Sequence, residues 1–131
     1  MAETINSKLA DKYFPDYADC ALSLSTGEND EPLDGLYSVD DISDDTAKAM
    51  KKDIVDFLDY LDEQLEGWSD SLPDWYGFEQ FAHDFWLTRN GHGAGFWDRG
   101  LGKIGDQLTE HSKAFGSCDL YVSDDSEICI M

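Results

Sequence analysis

Residues 81–100 gather the side chains that most often carry chemistry: His83, Asp84, Arg89, His92, Asp98 and Arg99, set around Gly91-His92-Gly93-Ala94-Gly95. As a phosphate cradle this loop lacks the Lys-Ser/Thr of a P-loop, and it comes after a helical pattern where dinucleotide sites need strand, glycine loop, then helix. As a catalytic loop it would use His92 as the base, oriented by Asp84 or Asp98, with His83 or Cys118 recruited. No G-x-S-x-G nucleophile turn stands nearby, and the three histidines, nine and nineteen residues apart, lack zinc-site spacing. On these grounds no catalytic residue, no metal and no cofactor is assigned from sequence.

Structurally, the same stretch reads as a corner. Gly91, Gly93 and Gly95 permit close backbone approach around His92, so the chain reverses and inserts Phe96 and Trp97 beside Phe85 and Trp86. Arg89, Arg99 and Lys103 stand here in a chain with few cations. They are expected to be spent on carboxylates such as Asp84 and Asp98, or on helix-end carbonyls.

A second set of chemically able residues is far larger. The chain carries 29 Asp plus Glu against 9 Lys plus Arg, a formal net charge of −20. Solubility of a small domain needs only about 2 to 8 net charges, and the surplus repels itself. The same field opposes direct binding of nucleic acid, whose phosphates are held by Lys and Arg. On the helix over 44–68, with the projection carried on to residue 70, Asp45, Asp56, Asp59, Glu63, Glu66 and Asp70 fall on one side, flanked by Asp53 and Asp62. Like charges one helical turn apart cost about 0.2 to 0.5 kcal/mol each, and Lys48, Lys51 and Lys52 offset only the first half. Along the helix the acids recur about every 4.5 to 6 Å, of the order of the ~3.4 Å between phosphates of one DNA strand. Asp56, Asp59, Glu63, Glu66 and Asp70 are the principal partner-binding candidates. Glu28, Asp30, Glu31, Asp34, Asp40 and Asp41, in an acidic loop over 27–43, are secondary; that loop lacks EF-hand spacing.

The elements that must position these groups are set by periodicity. Ile5, Leu9 and Tyr13 predict a short helix that stops before Pro15. Asp16 then caps a second helix through Tyr17, Cys20, Ala21 and Leu24. A turn of helix is expected after Ser38. Ser43 predicts the N-cap of the longest helix, over 44–68, with Ala47, Met50, Ile54, Leu58, Leu61, Leu65 and Trp68 as its dry face. Phe78, Phe81, Ala82 and Phe85 define the next helix, stopped by Asn90-Gly91. Leu101, Ile104, Leu108 and Phe115 define another, closed by Gly116. Leu120 and Val122 answer Ile128 and Ile130 across Ser123–Ser126 as a β-hairpin. The predicted fold is mainly α (α+β), with four to five helices and a small C-terminal antiparallel β-hairpin in one acidic domain over 1–131.

Hydrophobic residues make up 41% of the chain, enough for a core despite the charge. Cys20, Cys118 and Cys129 are odd in number and lack CxxC spacing, which predicts reduced thiols and a cytoplasmic setting. No secretion signal is visible and no apolar run approaches the ~20 residues of a membrane span.

The segment Phe-Trp-Leu-Thr-Arg-Asn-Gly-His-Gly-Ala-Gly-Phe-Trp-Asp-Arg-Gly, with Glu-Pro-Leu-Asp and Tyr-Ser-Val-Asp-Asp-Ile upstream and Ser-Cys-Asp-Leu-Tyr-Val-Ser-Asp-Asp downstream, resembles a group of small acidic proteins of bacteriophages and other mobile elements. That resemblance says little about activity. In charge alone the chain is similar to phage DNA-mimic proteins that inhibit restriction or CRISPR effectors by occupying a DNA channel, a likeness of physics with no shared motif, which implies an anti-defence role and transfers no catalytic residue. The protein expected from it is a non-enzymatic inhibitor in the host bacterial cytoplasm. It would bind the basic DNA-binding groove of a CRISPR effector or restriction enzyme as a monomer or homodimer, without nucleic acid or membrane contact. Two alternatives stay open: a small enzyme or ligand-binding protein using the Gly91-Gly95 loop with His92, and a protein of a high-salt cytoplasm.

Overall fold

Four helices and a hairpin form because five short apolar stripes each need a partner. A computed structural model of the protein describes residues 5–25, 33–35, 37–91, 95–117 and 119–130. The elements are α1 (Ile5–Leu24), α2 (Asp44–Gln64), α3 (Phe78–Arg89), α4 (Lys103–Lys113), β1 (Leu120–Val122) and β2 (Ile128–Ile130), with 3-10 turns at Leu33–Gly35, Val39–Asp41, Trp68–Ser71 and Phe96–Asp98. Helix α1 packs on both α2 and α3, and α4 closes the far side against α3 and the turn at Phe96–Asp98.

The expected break before Pro15 does not occur: α1 is one helix with Pro15 inside it. Proline in a helix interior costs about 3 kcal/mol through its missing N–H and its clash with the preceding turn. Ala10, Phe14, Tyr17, Ala18 and Ala21 lie along one continuous buried face that spans the proline. Burying an aromatic side chain contributes about 1.5 to 3 kcal/mol, so the tertiary face outweighs the local rule. Pro15 itself is exposed to solvent.

Helix α2 starts where expected, with Ser43 Oγ accepting from the Thr46 amide at 3.2 Å. It ends earlier than expected, at Gln64. Asp62 and Glu63 stand at the negative end of its dipole, which they destabilise, and Gly67 turns the chain at φ 72. Trp68 therefore reaches the core from a separate 3-10 turn. The dry face also includes Phe57, which lies off the expected stripe. Its ring stacks on Phe85 at 4.1 Å and meets Phe81 at 5.6 Å, Phe115 at 5.5 Å and Phe96 at 6.3 Å, which makes it the hub of the aromatic core.

The hairpin pairs Leu120 with Ile130 and Val122 with Ile128, in the expected register. It is tied to the start of α2, since the Ser43 amide donates to Ile128 O at 2.9 Å and the Ile130 amide donates to Thr46 Oγ1 at 3.1 Å. Cys20 and Cys129 are free thiols, Cys20 buried; Cys118 lies outside the described residues. Among the described residues no helix is long and apolar enough to cross a membrane.

Candidate functional site

The glycine corner sets α3 against the turn at Phe96–Asp98. Gly91 ends α3 in the left-handed conformation at φ 70. A Cβ on Gly95 would collide with Thr88 Oγ1 and the Trp97 ring, so glycine is required there for close approach. Phe96 is fully buried as expected, and its ring meets those of Phe81 at 5.3 Å and Phe57 at 6.3 Å. Trp97 is not: it is 42% exposed, the next residue of the three-residue turn Phe96–Asp98, facing outward where Phe96 faces in. His92 and Gly93 lie outside the described residues.

Both arginines of the corner are committed internally. Arg89 Nη1 donates to Asp53 Oδ2 at 2.7 Å and to the Tyr17 hydroxyl at 3.0 Å, while Nε and Nη2 donate to the carbonyls of Gly116 at 2.9 Å and Phe115 at 3.2 Å. It thus ties α1, α2 and α3 to the end of α4, with helix-end carbonyls as foreseen and Asp53 as the carboxylate in place of Asp84 or Asp98. Arg99 takes Asp84, with Nη2 at 2.8 Å from Oδ1 and Nε at 3.1 Å from Oδ2. Lys103 is exposed and pairs with no carboxylate among the described residues.

Asp84 is fully buried and also accepts from the Tyr76 hydroxyl at 2.5 Å and from Gln80 Nε2 at 2.9 Å, with His83 Nδ1 3.4 Å away. Burial, and then the hydrogen bond to this carboxylate, push the Tyr76 phenol far above its ordinary range. The arrangement resembles an acid–base centre in its residue types, yet its acceptor capacity is already filled by the protein's own donors. The sequence signal for it was Asp84 standing inside the apolar run Phe81–Phe85, a position that demands partners.

Beside it a cleft of about 460 Å³ opens between α1 and α3, lined by Asp16, Asp19, Cys20, Glu79, Gln80 and His83. Burial, and then repulsion from Glu79 and Asp19, raise the Asp16 carboxyl above the usual range. Burial, reinforced by the Asp84 charge, pushes the Cys20 thiol up to about 12, so it stays protonated at neutral pH and is no thiolate nucleophile. Among the described residues no group of three His, Cys, Asp or Glu side chains is placed to hold a metal ion.

The acidic candidates divide into three groups. Asp53 is drawn inward by Arg89 and leaves the acid face; the helical projection set it at the flank, where α3 approaches closely enough to claim it. Asp56 is paired with Lys52 at 2.6 Å and remains half exposed. Asp45, Asp59, Asp62, Glu63, Glu66 and Asp70 are exposed. Glu66 and Asp70 lie beyond the end of α2, on the far sides of Leu65 and of the left-handed turn at Gly67, so the helical projection that set them on one face with Asp59 and Glu63 does not extend to them. Among the described residues no Lys or Arg pairs with Asp59, Asp62, Glu63, Glu66 or Asp70.

The groups that hold this face in place are neutral. Asn6 of α1 donates its amide to Asp59 Oδ1 at 2.6 Å and to Asp62 Oδ2 at 3.0 Å, and Trp68 Nε1 donates to Asp62 Oδ1 at 2.8 Å. These hydrogen bonds orient two carboxylates without cancelling their charge. Sequence alone misses them, because no local pattern links residue 6 to residue 62. Asp40 and Asp41 are exposed on the turn Val39–Asp41, and Asp41 accepts from the Ser38 amide at 2.8 Å. Glu28, Asp30 and Glu31 lie outside the described residues, as does the side chain of Asp34, whose backbone forms part of the turn Leu33–Gly35. Compared with protein-family models, with curated proteins and with solved structures, the chain matches none.

Proposed function

We propose that the protein is an acidic DNA mimic of phage or mobile-element type, which binds the basic DNA-binding groove of a host CRISPR effector or restriction complex and blocks DNA binding. The observation that carries this reading is that Asp59, Asp62, Glu63, Glu66 and Asp70 are all exposed and paired with no Lys or Arg among the described residues, on a chain of net charge −20. Lys and Arg side chains that normally hold phosphates would pair with it by charge-assisted hydrogen bonds. Complementary potentials of this kind speed encounter and weaken with salt. The rigid body behind the face supports the same reading. Asn6 and Trp68 fix two of the carboxylates, and Arg89 pins α2 to the other helices, so little order has to be gained on binding.

The test is functional. Cells carrying a restriction or CRISPR system are challenged with phage while expressing the wild type or the variant Asp59→Asn, Glu63→Gln, Glu66→Gln and Asp70→Asn. Wild type should restore plaque formation against a susceptible system and the folded variant should not; equal protection by both overturns the proposal. A second reading, a ligand-binding protein, draws on the cleft between α1 and α3. Protection that survives the four-site variant and is lost on His83→Ala and Gln80→Ala would favour it.

A further inference from the structure

Beside the acid face lies a groove whose lining is mostly apolar, with one carboxylate, Asp62. About 310 Å³ in volume, it runs between the first turns of α1 and the turn at Trp68–Ser71, with Ile5, Leu9, Trp68 and Phe78 as apolar walls and Asn6 and Asp62 at its edge. Ile5 is 77% exposed, so an apolar side chain is left in water at the groove's mouth. Trp68 and Phe78 meet edge to face at 6.3 Å along the opposite wall. Asp62 and Asp59 are held side by side by the single Asn6 amide, and no cation among the described residues neutralises either.

We infer that this groove is a socket for one arginine side chain of the basic partner. The inference rests on the DNA-mimic reading for the partner's charge and adds which residue type the partner must present. At this volume, the small end of ligand pockets, the groove takes one long side chain. An apolar occupant would strip water from Asp62 while offering it nothing, which is costly. A cation with an apolar stem satisfies both parts of the lining: methylenes against Ile5 and Leu9, charge at the Asp62 carboxylate. Arginine fits better than lysine because its guanidinium is flat, weakly hydrated, forks onto carboxylates and stacks on aromatic rings such as that of the partly buried Phe78. A second copy of this chain cannot supply the side chain, since its only two arginines are Arg89, bound to Asp53, and Arg99, bound to Asp84.

The experiment titrates ¹⁵N-labelled full-length protein with two glycine-serine peptides of equal charge, one carrying four arginines and one four lysines. The arginine peptide should bind about two- to fivefold more tightly and shift the Trp68 indole N–H and the Asn6 side-chain amide. Ile5→Ser, which leaves the net charge unchanged and alters an exposed position, should bring the two affinities together. Equal affinities, with shifts spread over Glu63, Glu66 and Asp70 alone, overturn the socket and leave the acid face standing. An arginine preference that Ile5→Ser does not reduce also overturns the socket. Failure of both peptides to bind overturns the socket and the acid-face reading together.

Discussion

Replacing Arg89 by alanine tests how the acid face is held. The side chain is 5% exposed and, among the described residues, donates to Asp53, Tyr17, Phe115 and Gly116, while its guanidinium lies 5.5 Å from the Phe85 ring centre and 5.9 Å from that of Phe115. Breaking a buried ion pair by removing one partner costs about 3 to 5 kcal/mol. Asp53, 29% exposed, regains some water, which places the loss near the lower end, about 3 to 4 kcal/mol. With an unfolding entropy of about 2.1 cal/mol/K per residue, 131 residues give about 0.28 kcal/mol/K, so Tm should fall by about 10 to 14 °C. Differential scanning calorimetry of wild type, Arg89→Ala and Arg89→Lys measures this. Lysine keeps the charge and loses the fork, and should fall between the other two. In temperature ranges where Arg89→Ala remains folded, partner binding should be unchanged. A Tm loss under about 4 °C, or loss of binding by a folded variant, refutes the assignment of Arg89 as an internal tie.

The cleft and its neighbours yield three more expected outcomes. Asp16 has a folded-state pKa above its unfolded value, so the folded chain holds the extra proton and the favourable contribution is lost as pH rises through the raised value. Asp16→Asn should therefore raise Tm at neutral pH and leave it unchanged below the ordinary carboxylate pKa; a lowered Tm at neutral pH contradicts this. Tyr76→Phe removes a buried hydrogen bond to a charged acceptor and should cost about 1.5 to 3 kcal/mol by denaturant unfolding, with Asp84→Asn costing more because Arg99 loses its counter-charge. With its pKa pushed up to about 12, Cys20 at mildly alkaline pH should react with a disulfide reagent on the order of 10³-fold more slowly than an ordinary thiol, and Cys129, which is only partly buried, should label before it by peptide mapping.

The features legible in the sequence were mostly periodic or terminal. Ser43 before a helical stripe, Asn90-Gly91 after one, and two alternating pairs across Ser123–Ser126 each fix an element through local chemistry, and each lies where expected. Departures arose where a distant contact overrode a local rule. Pro15 is carried inside α1 by the face that packs on α2 and α3. Asp53 belongs to Arg89, 36 residues away, and leaves the acid face for that reason. The carboxylates of Asp59 and Asp62 are oriented by an asparagine 53 and 56 residues earlier. Trp97 differs from Phe96 only in which side of a three-residue turn it occupies, and periodicity carries little information over so short an element.

Displacement by DNA tests the central claim most directly. Immobilised protein is loaded with the restriction or CRISPR complex it is proposed to block, then washed with duplex DNA at increasing concentration and, separately, with increasing salt. The mimic account predicts that specific duplex releases the complex competitively, that affinity falls steeply with salt as phosphate contacts do, and that the variant neutralised at Asp59, Glu63, Glu66 and Asp70 captures none of it. A complex that stays bound in saturating DNA, or that the neutralised variant holds as well as the wild type, contradicts the account.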